Sequence, residues 1–241
     1  MPGFVERQIA TLIANLADEK ERADAMHTLK GYGPRVIPFL IDVLGDPSRM
    51  AYATIVLSEI GEPAITALLD VLGDDSKKYN ASAALLEMGK KKTKTQKTII
   101  PRLIDALADT NIRKRAMAGV TLLNFGAPTL EQHIPSLIDS LGSANAGAFA
   151  GNVLVGIGKP AVVPLMNAVS DESKKELVTN ILQEIAKKDS TVRIPVAVSQ
   201  KTKPVPSPTP NQSLRPKFCK YCGASLTPDS VYCPQCGRKI E

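Results

Sequence analysis

The stretch that most constrains how this chain can fold is Gly61 to Asp75, GEPAITALLDVLGDD, because its order of turn, apolar helix and turn recurs along the sequence. Comparable stretches are GPRVIPFLIDVLGD from Gly33, IIPRLIDALAD from Ile99, HIPSLIDSLGS from His133 and GKPAVVPLMNAVSD from Gly158, with a degenerate first copy, QIATLIANLAD, from Gln8. The copies end at Asp18, Asp46, Asp74, Asp109, Ser143 and Asp171, at intervals of 28, 28, 35, 34 and 28 residues. Six units at that period predict a solenoid, in which each unit buries its apolar face only by stacking on its neighbours.

Within a unit the punctuation has backbone reasons. Gly33, Gly61, Gly126 and Gly158 each close an apolar helical pattern, where glycine can take the left-handed conformation that ends a helix. Pro34, Pro63, Pro128 and Pro160 follow, where a fixed φ and a missing amide hydrogen suit a first helical turn. Ile37, Leu40, Ile41 and Leu44 then form one stripe at helical spacing, as do Ile65, Leu68, Leu69 and Leu72. Gly45 or Gly73 stops that helix, and Asp46 or Asp74 is the candidate N-cap of a second one. Each unit therefore reads as a helical hairpin. Aromatics are only 4% and tryptophan is absent, so the core must come from Ala, Leu, Ile and Val, which suits closely stacked helices.

With these motifs in view, residues 8–188 resemble HEAT-type repeats, especially the short variety of phycobilisome-lyase-like proteins, through the G-x-P-A-[IV] entry and the L-[LI]-D-x-L-G-D exit. The resemblance implies an all-α, HEAT-like solenoid of about six helix pairs over residues 1–189. It implies little about activity, since the family includes scaffolds, lyase-type proteins and nucleic-acid enzymes. It also implies that the recurrent acids Asp42, Asp70, Asp105 and Asp139, replaced by Asn15 and Asn167 in the end copies, form a polar ladder between layers, with Arg49, Lys77 or Arg113 as partners.

After Asp189 the composition changes. Residues 190–216 contain prolines at 195, 204, 206, 208, 210 and 216 and read as a flexible linker, which in polyproline II form could reach roughly 80 Å. Charge divides at the same place: residues 1–189 carry 22 basic against 22 acidic side chains, and residues 190–241 carry 8 against 2. Residues 217–241 hold all four cysteines as Cys219-x2-Cys222, ten residues, then Cys233-x2-Cys236. Two CxxC pairs present four thiolates for one tetrahedral ion, and residues 218–238 resemble a small zinc ribbon. Redox thiols and rubredoxin-like iron are the competing readings, although the intervening loop is short for the latter. A closed four-sulfur shell leaves no open coordination position, so one structural Zn2+ is the expected cofactor.

The second candidate site is basic: Lys90, Lys91, Lys92, Lys94 and Lys97 in an enlarged loop over 89–98, followed by Arg102, Arg113, Lys114 and Arg115. Such a cluster could meet phosphates. The opposing reading is a solvated surface, because the solenoid has no excess positive charge and the cluster lacks interleaved aromatics for base stacking. Enzyme constellations are not evident. The only histidines, His27 and His133, lie in neither an HExxH motif nor the His-Glu pairs of HEAT-repeat iron hydroxylases, and VGIGKPAV lacks the first glycine and the Ser or Thr of a phosphate loop. No apolar run approaches the roughly 20 residues that cross a bilayer, and the N-terminus has acids where a signal peptide carries bases. The expectation is a cytoplasmic, non-enzymatic scaffold or adaptor binding a protein partner, with no small-molecule substrate evident. Nucleic-acid association is the alternative, and lyase-like or cofactor-chaperone activity a weaker one.

Overall fold

A computed structural model describes residues 3–91 and 93–194. The cysteines, the zinc-ribbon stretch, most of the proline-rich stretch and Lys92 lie outside the described residues.

The described residues are all-helical and run as six hairpins, whose first and second helices we term A and B. Repeat 1 is α1 (Phe4–Asn15) and α2 (Arg22–Tyr32). Repeat 2 is α3 (Ile37–Asp42) and α4 (Met50–Ile60), and repeat 3 is α5 (Ile65–Asp70) and α6 (Lys78–Lys91). Repeat 4 is α7 (Thr93–Ala106) and α8 (Ile112–Phe125). Repeat 5 has α9 (Ala127–Leu130) and α10 (Ile134–Ser140) before α11 (Gly147–Ile157), and repeat 6 is α12 (Val162–Ala168) and α13 (Lys175–Lys188).

Burial follows the apolar stripes. Leu40, Leu44, Ile65, Leu68 and Leu72 are sealed from solvent on the A helices. Four residues before the end of the B-helix motif stands a leucine in every copy, Leu29, Leu57, Leu85, Leu122, Leu154 and Leu182, and each is fully buried. One turn earlier stand Ala25, Ala53, Ala81, Ala118 and Ala150, with Val178 in the last copy. A methyl at that position lets the neighbouring helix approach closely, and the leucine then supplies apolar burial of about 1.5–3 kcal/mol per side chain.

Several expectations are refined. The A helices of repeats 2 and 3 are not continuous: 3-10 turns such as Gly33–Val36 and Val43–Gly45 flank the α-helical segment. The prolines Pro34, Pro63 and Pro160 sit in those 3-10 turns. The four closing glycines have positive φ, but Gly61 lies at φ 80°, ψ −134°, and so is in the extended mirror region and not in the left-handed helical one. Asp46 accepts from Ser48 N at 2.9 Å, but it caps a single turn, and α4 itself begins four residues later.

The largest correction concerns residues 89–98, read as a loop from their lysines. α6 continues through Gly89 to Lys91, and α7 begins at Thr93. Gly89 does not break the helix because it serves another purpose: a Cβ there would lie 2.3 Å from Cε1 of Phe125, so the glycine seats that ring. Thr95, Ile99 and Ile100 are buried on α7, which anchors the segment as a helix.

Candidate functional site

The acids expected to form a ladder do so at three junctions. Asp42 meets Lys77 of the next repeat at 3.8 Å, Asp70 meets Lys114 at 3.6 Å, and Asp139 meets Lys174 at 3.9 Å. Of the partners expected from sequence, Lys77 serves. Arg49 instead donates to Asp46 of its own turn at 2.9 Å, and Arg113 pairs with Asp75 at 3.1 Å.

A glycine accompanies each of these ion pairs. A Cβ on Gly73 would lie 2.4 Å from Asn111 Nδ2 and 3.4 Å from Lys114 Cβ, and one on Gly142 would lie 3.3 Å from Lys174 Cε. One on Gly45 would lie 2.8 Å from Ser76 Oγ. Gly45 and Gly73, assigned from sequence to helix termination, admit Ser76 and Asn111 of the next repeat's turn, and Gly142 admits the Lys174 stem. The turns themselves are pinned by aspartates. Asp74, Asp171 and Asp189 each accept both the backbone amide and the side-chain hydroxyl of the residue two positions on, at 2.6–3.0 Å. Those hydroxyl and amide bonds hold the three carboxyls below their ordinary range.

The remaining two junctions are built differently. Arg22 of repeat 1 lies over the Tyr52 ring of repeat 2, 4.0 Å from its centroid, and Arg115 of repeat 4 lies over the Phe149 ring of repeat 5 at 5.4 Å. Both arginines also donate to carbonyls five and six residues back: Arg22 to Leu16 at 3.0 Å and Ala17 at 3.3 Å, Arg115 to Asp109 at 2.8 Å and Thr110 at 3.4 Å. The sequence reading missed this pair. Its only signal is the shared register of arginine and aromatic.

The basic candidate cluster therefore divides. Arg113, Lys114 and Arg115 are occupied by Asp75, by Asp70 and Asp109, and by carbonyls and Phe149. Lys90 pairs with Glu87 at 3.3 Å. Lys91, Lys94 and Lys97 are exposed and form no ion pair among the described residues. Lys91 lines a cavity of about 330 Å³ with Lys30, Ser58, Glu59, Met88 and the buried Thr95. Lys114 lines another, of about 290 Å³, between α5 and α7.

His27 lies exposed on α2. Nε2 of His133 is buried with no hydrogen-bond partner among the described residues, and burial lowers its pKa. Among the described residues no three His, Cys, Asp or Glu side chains are grouped so as to hold a metal ion. No described helix alone is long and apolar enough to cross a membrane; α11 and α12 pass together by length and composition but are bent by 117° at Gly158.

Residues 218–240 match the zinc-ribbon domain family and constitute a zinc-ribbon domain. No curated protein matches the chain. Among solved structures, human deoxyhypusine hydroxylase in complex with glycerol is similar at 18% identity, covering 75% of this chain and 96% of that one with a TM-score of 0.24.

Proposed function

We propose that the chain is a non-enzymatic protein-protein interaction scaffold in which a HEAT-type helical repeat and a tethered zinc ribbon each contact a partner. One observation carries this reading: the B helices of the middle repeats leave large apolar side chains in solvent. Ile55 on α4 is 42% exposed, Tyr79 on α6 67%, and Val120 and Leu123 on α8 47% and 38%. Ile55 and Val120 occupy the same register of their repeats, with Ala83 between them, whereas the end repeats carry His27 and Asn180 there. Exposed apolar side chains recurring on three successive helices, with polar residues at the same register of the end repeats, support a face that another protein covers.

In the ribbon, Cys219, Cys222, Cys233 and Cys236 would hold one zinc ion; four thiolates in two CxxC pairs match the donor set of a structural site. The ion would supply the folding energy that so few apolar residues cannot. Chelation is expected to unfold residues 217–239 and leave the helices intact; unchanged amide spectra of the ribbon in metal-free protein would reject this.

The scaffold reading is tested by capturing partners on the full-length protein with nuclease present, alongside the double variant Ile55→Glu, Val120→Glu. A protein retained stoichiometrically by the parent and lost by the variant supports the surface. Equal retention by both removes it. A second reading, phosphate contact with a nucleic acid, is favoured by the exposed Lys91, Lys94 and Lys97 at the α6–α7 corner. It requires binding that falls steeply with salt; salt-insensitive binding would dismiss it.

A further inference from the structure

Four polar side chains are buried among the described residues, Ser58, Ser82, Thr95 and Thr121, and three of them have their hydroxyls bonded within the protein. Ser58 donates to the Ile55 carbonyl at 2.8 Å, and Thr121 reaches Ser82 Oγ at 2.8 Å and the Met117 carbonyl at 2.7 Å. Thr95, 6% exposed, forms no hydrogen bond among the described residues. Its place in the chain gives the reason. Thr11, Thr54 and Thr121 each return the hydroxyl to the carbonyl four residues back in their own helix. Thr95 is the third residue of α7, and the residue four back, Lys91, is the last of α6. Thr95 lines the cavity of about 330 Å³ at the α6–α7 corner, with the buried Met88 as an apolar wall. Of the two lysines there, Lys30 is engaged by Glu59 at 3.2 Å, whereas Lys91 forms no ion pair among the described residues.

We infer that this cavity receives the carboxylate of an acidic side chain from a protein partner, one oxygen accepting from Thr95 Oγ1 and the other from the Lys91 ammonium, while Lys30 stays with Glu59. The cavity leaves three things unanswered: a buried hydroxyl donor, an ammonium, and one unit of positive charge. A carboxylate, with two acceptor oxygens and one negative charge, answers all three. The first turn of α7, a helix of 14 residues, favours a negative group beside Thr95 as well. A nucleic acid fits less well, since it would carry a run of phosphates past Glu59 and finds no aromatic side chain in the cavity on which to stack a base. The inference rests on the scaffold reading and adds to it the charge of one partner residue.

The test is a titration of full-length protein carrying carbon-13 in its threonine and methionine methyls with the capped peptide acetyl-Ala-Glu-Ala-amide, followed by NMR. The Thr95 and Met88 signals are expected to shift saturably and together, while those of Thr54 and Thr121 stay in place. The glutamine peptide should move none of them. Thr95→Val keeps the buried shape and deletes the donor; it should weaken the Met88 response by about tenfold, and raise the thermal midpoint because an unbonded buried hydroxyl is gone. Lys91→Gln should weaken binding by a similar factor. Equal shifts with the two peptides, no shift at Thr95, or a Thr95→Val protein that responds like the parent would overturn the proposal. So would saturation by acetate at the same concentration as by the peptide, which would place a free small acid there, or a response to an oligonucleotide with none to the peptide, which would place a nucleic-acid phosphate. A partner captured on the parent with no shift at Thr95 defeats this contact and spares the scaffold reading; a shift at Thr95 with no partner captured does the reverse.

Discussion

The junctions between repeats 2 and 3, 3 and 4, and 5 and 6 differ from those between repeats 1 and 2 and 4 and 5 in what crosses them. The first type joins an acid and a lysine over a glycine. The second stacks an arginine on an aromatic ring and ties the same arginine to backbone carbonyls. At the second type the glycine is absent, replaced by Ala17 and Ala108. The contrast lies in what the next repeat's turn brings up against each glycine, which is Ser76 at Gly45, Asn111 at Gly73 and the Lys174 stem at Gly142, although Lys30 and Glu59 also pair at 3.2 Å between repeats 1 and 2. The energies differ as well. Ion pairs with exposed acids contribute about 0–1 kcal/mol, whereas charge-assisted bonds to carbonyls contribute about 1.5–3 kcal/mol and the stacking about 0.5–1 kcal/mol.

The contrast can be broken most sharply at Arg115. Arg115→Ala removes both carbonyl bonds and the Phe149 contact, and should destabilise the helical unit by about 2–3 kcal/mol in urea unfolding; a loss near zero would deny the second junction type its role. Gly73→Ala should follow at about 2 kcal/mol, because the new methyl displaces Asn111, whose side chain caps α8 through Arg113 N at 2.9 Å. Ala108→Gly, by comparison, should cost less than about 1 kcal/mol. Equal penalties at the two positions would show that the close approach of Asn111 to Gly73 sets no requirement for glycine there.

Lys114→Met keeps the stem and deletes the charge, and should cost about 0.5–1 kcal/mol at low salt and almost nothing at 1 M salt. A cost that persists in salt would show that packing, and not charge, holds the junction. The smallest effect is one of pH. The Asp109 carboxyl is held below its ordinary value, first by the Asn111 amide and then by Lys114, and Asp74 and Asp171 by the serines two positions on. A depressed folded pKa gives stability that is present above the unfolded value, near pH 4, and lost as pH falls through the folded one. Hydrogen exchange should accelerate first in α6 and α13 on acidification, and later at the α1–α2 end, which the Arg22–Tyr52 stacking joins to repeat 2. Uniform acceleration would contradict that order.

The repeat count and the helical hairpins were legible because both rest on periodicity, which also aligned Asp42, Asp70 and Asp139; of the partners expected for those acids, Lys77 alone serves. The course of residues 89–98 was not legible. Lysines there suggest a loop by composition, while the seating of Phe125 on Gly89 and the burial of Thr95 and Ile99 hold residues 89–91 and 93–98 as helix, and those contacts join residues distant in the chain. The basic cluster divides for a similar reason, since adjacency in sequence says nothing of the carboxylates and carbonyls that neighbouring turns bring to Arg113, Lys114 and Arg115.

What the sequence by itself determined was local: the period, the positive-φ glycines that turn each hairpin, the apolar stripes of the first helices, and the four-cysteine spacing of the ribbon. Which lysine reaches which acid and which glycine serves packing were decided only by tertiary structure. These depend on how one repeat lies against the next, and a distance of a few ångströms between side chains some 35 residues apart is written in no single window of the chain.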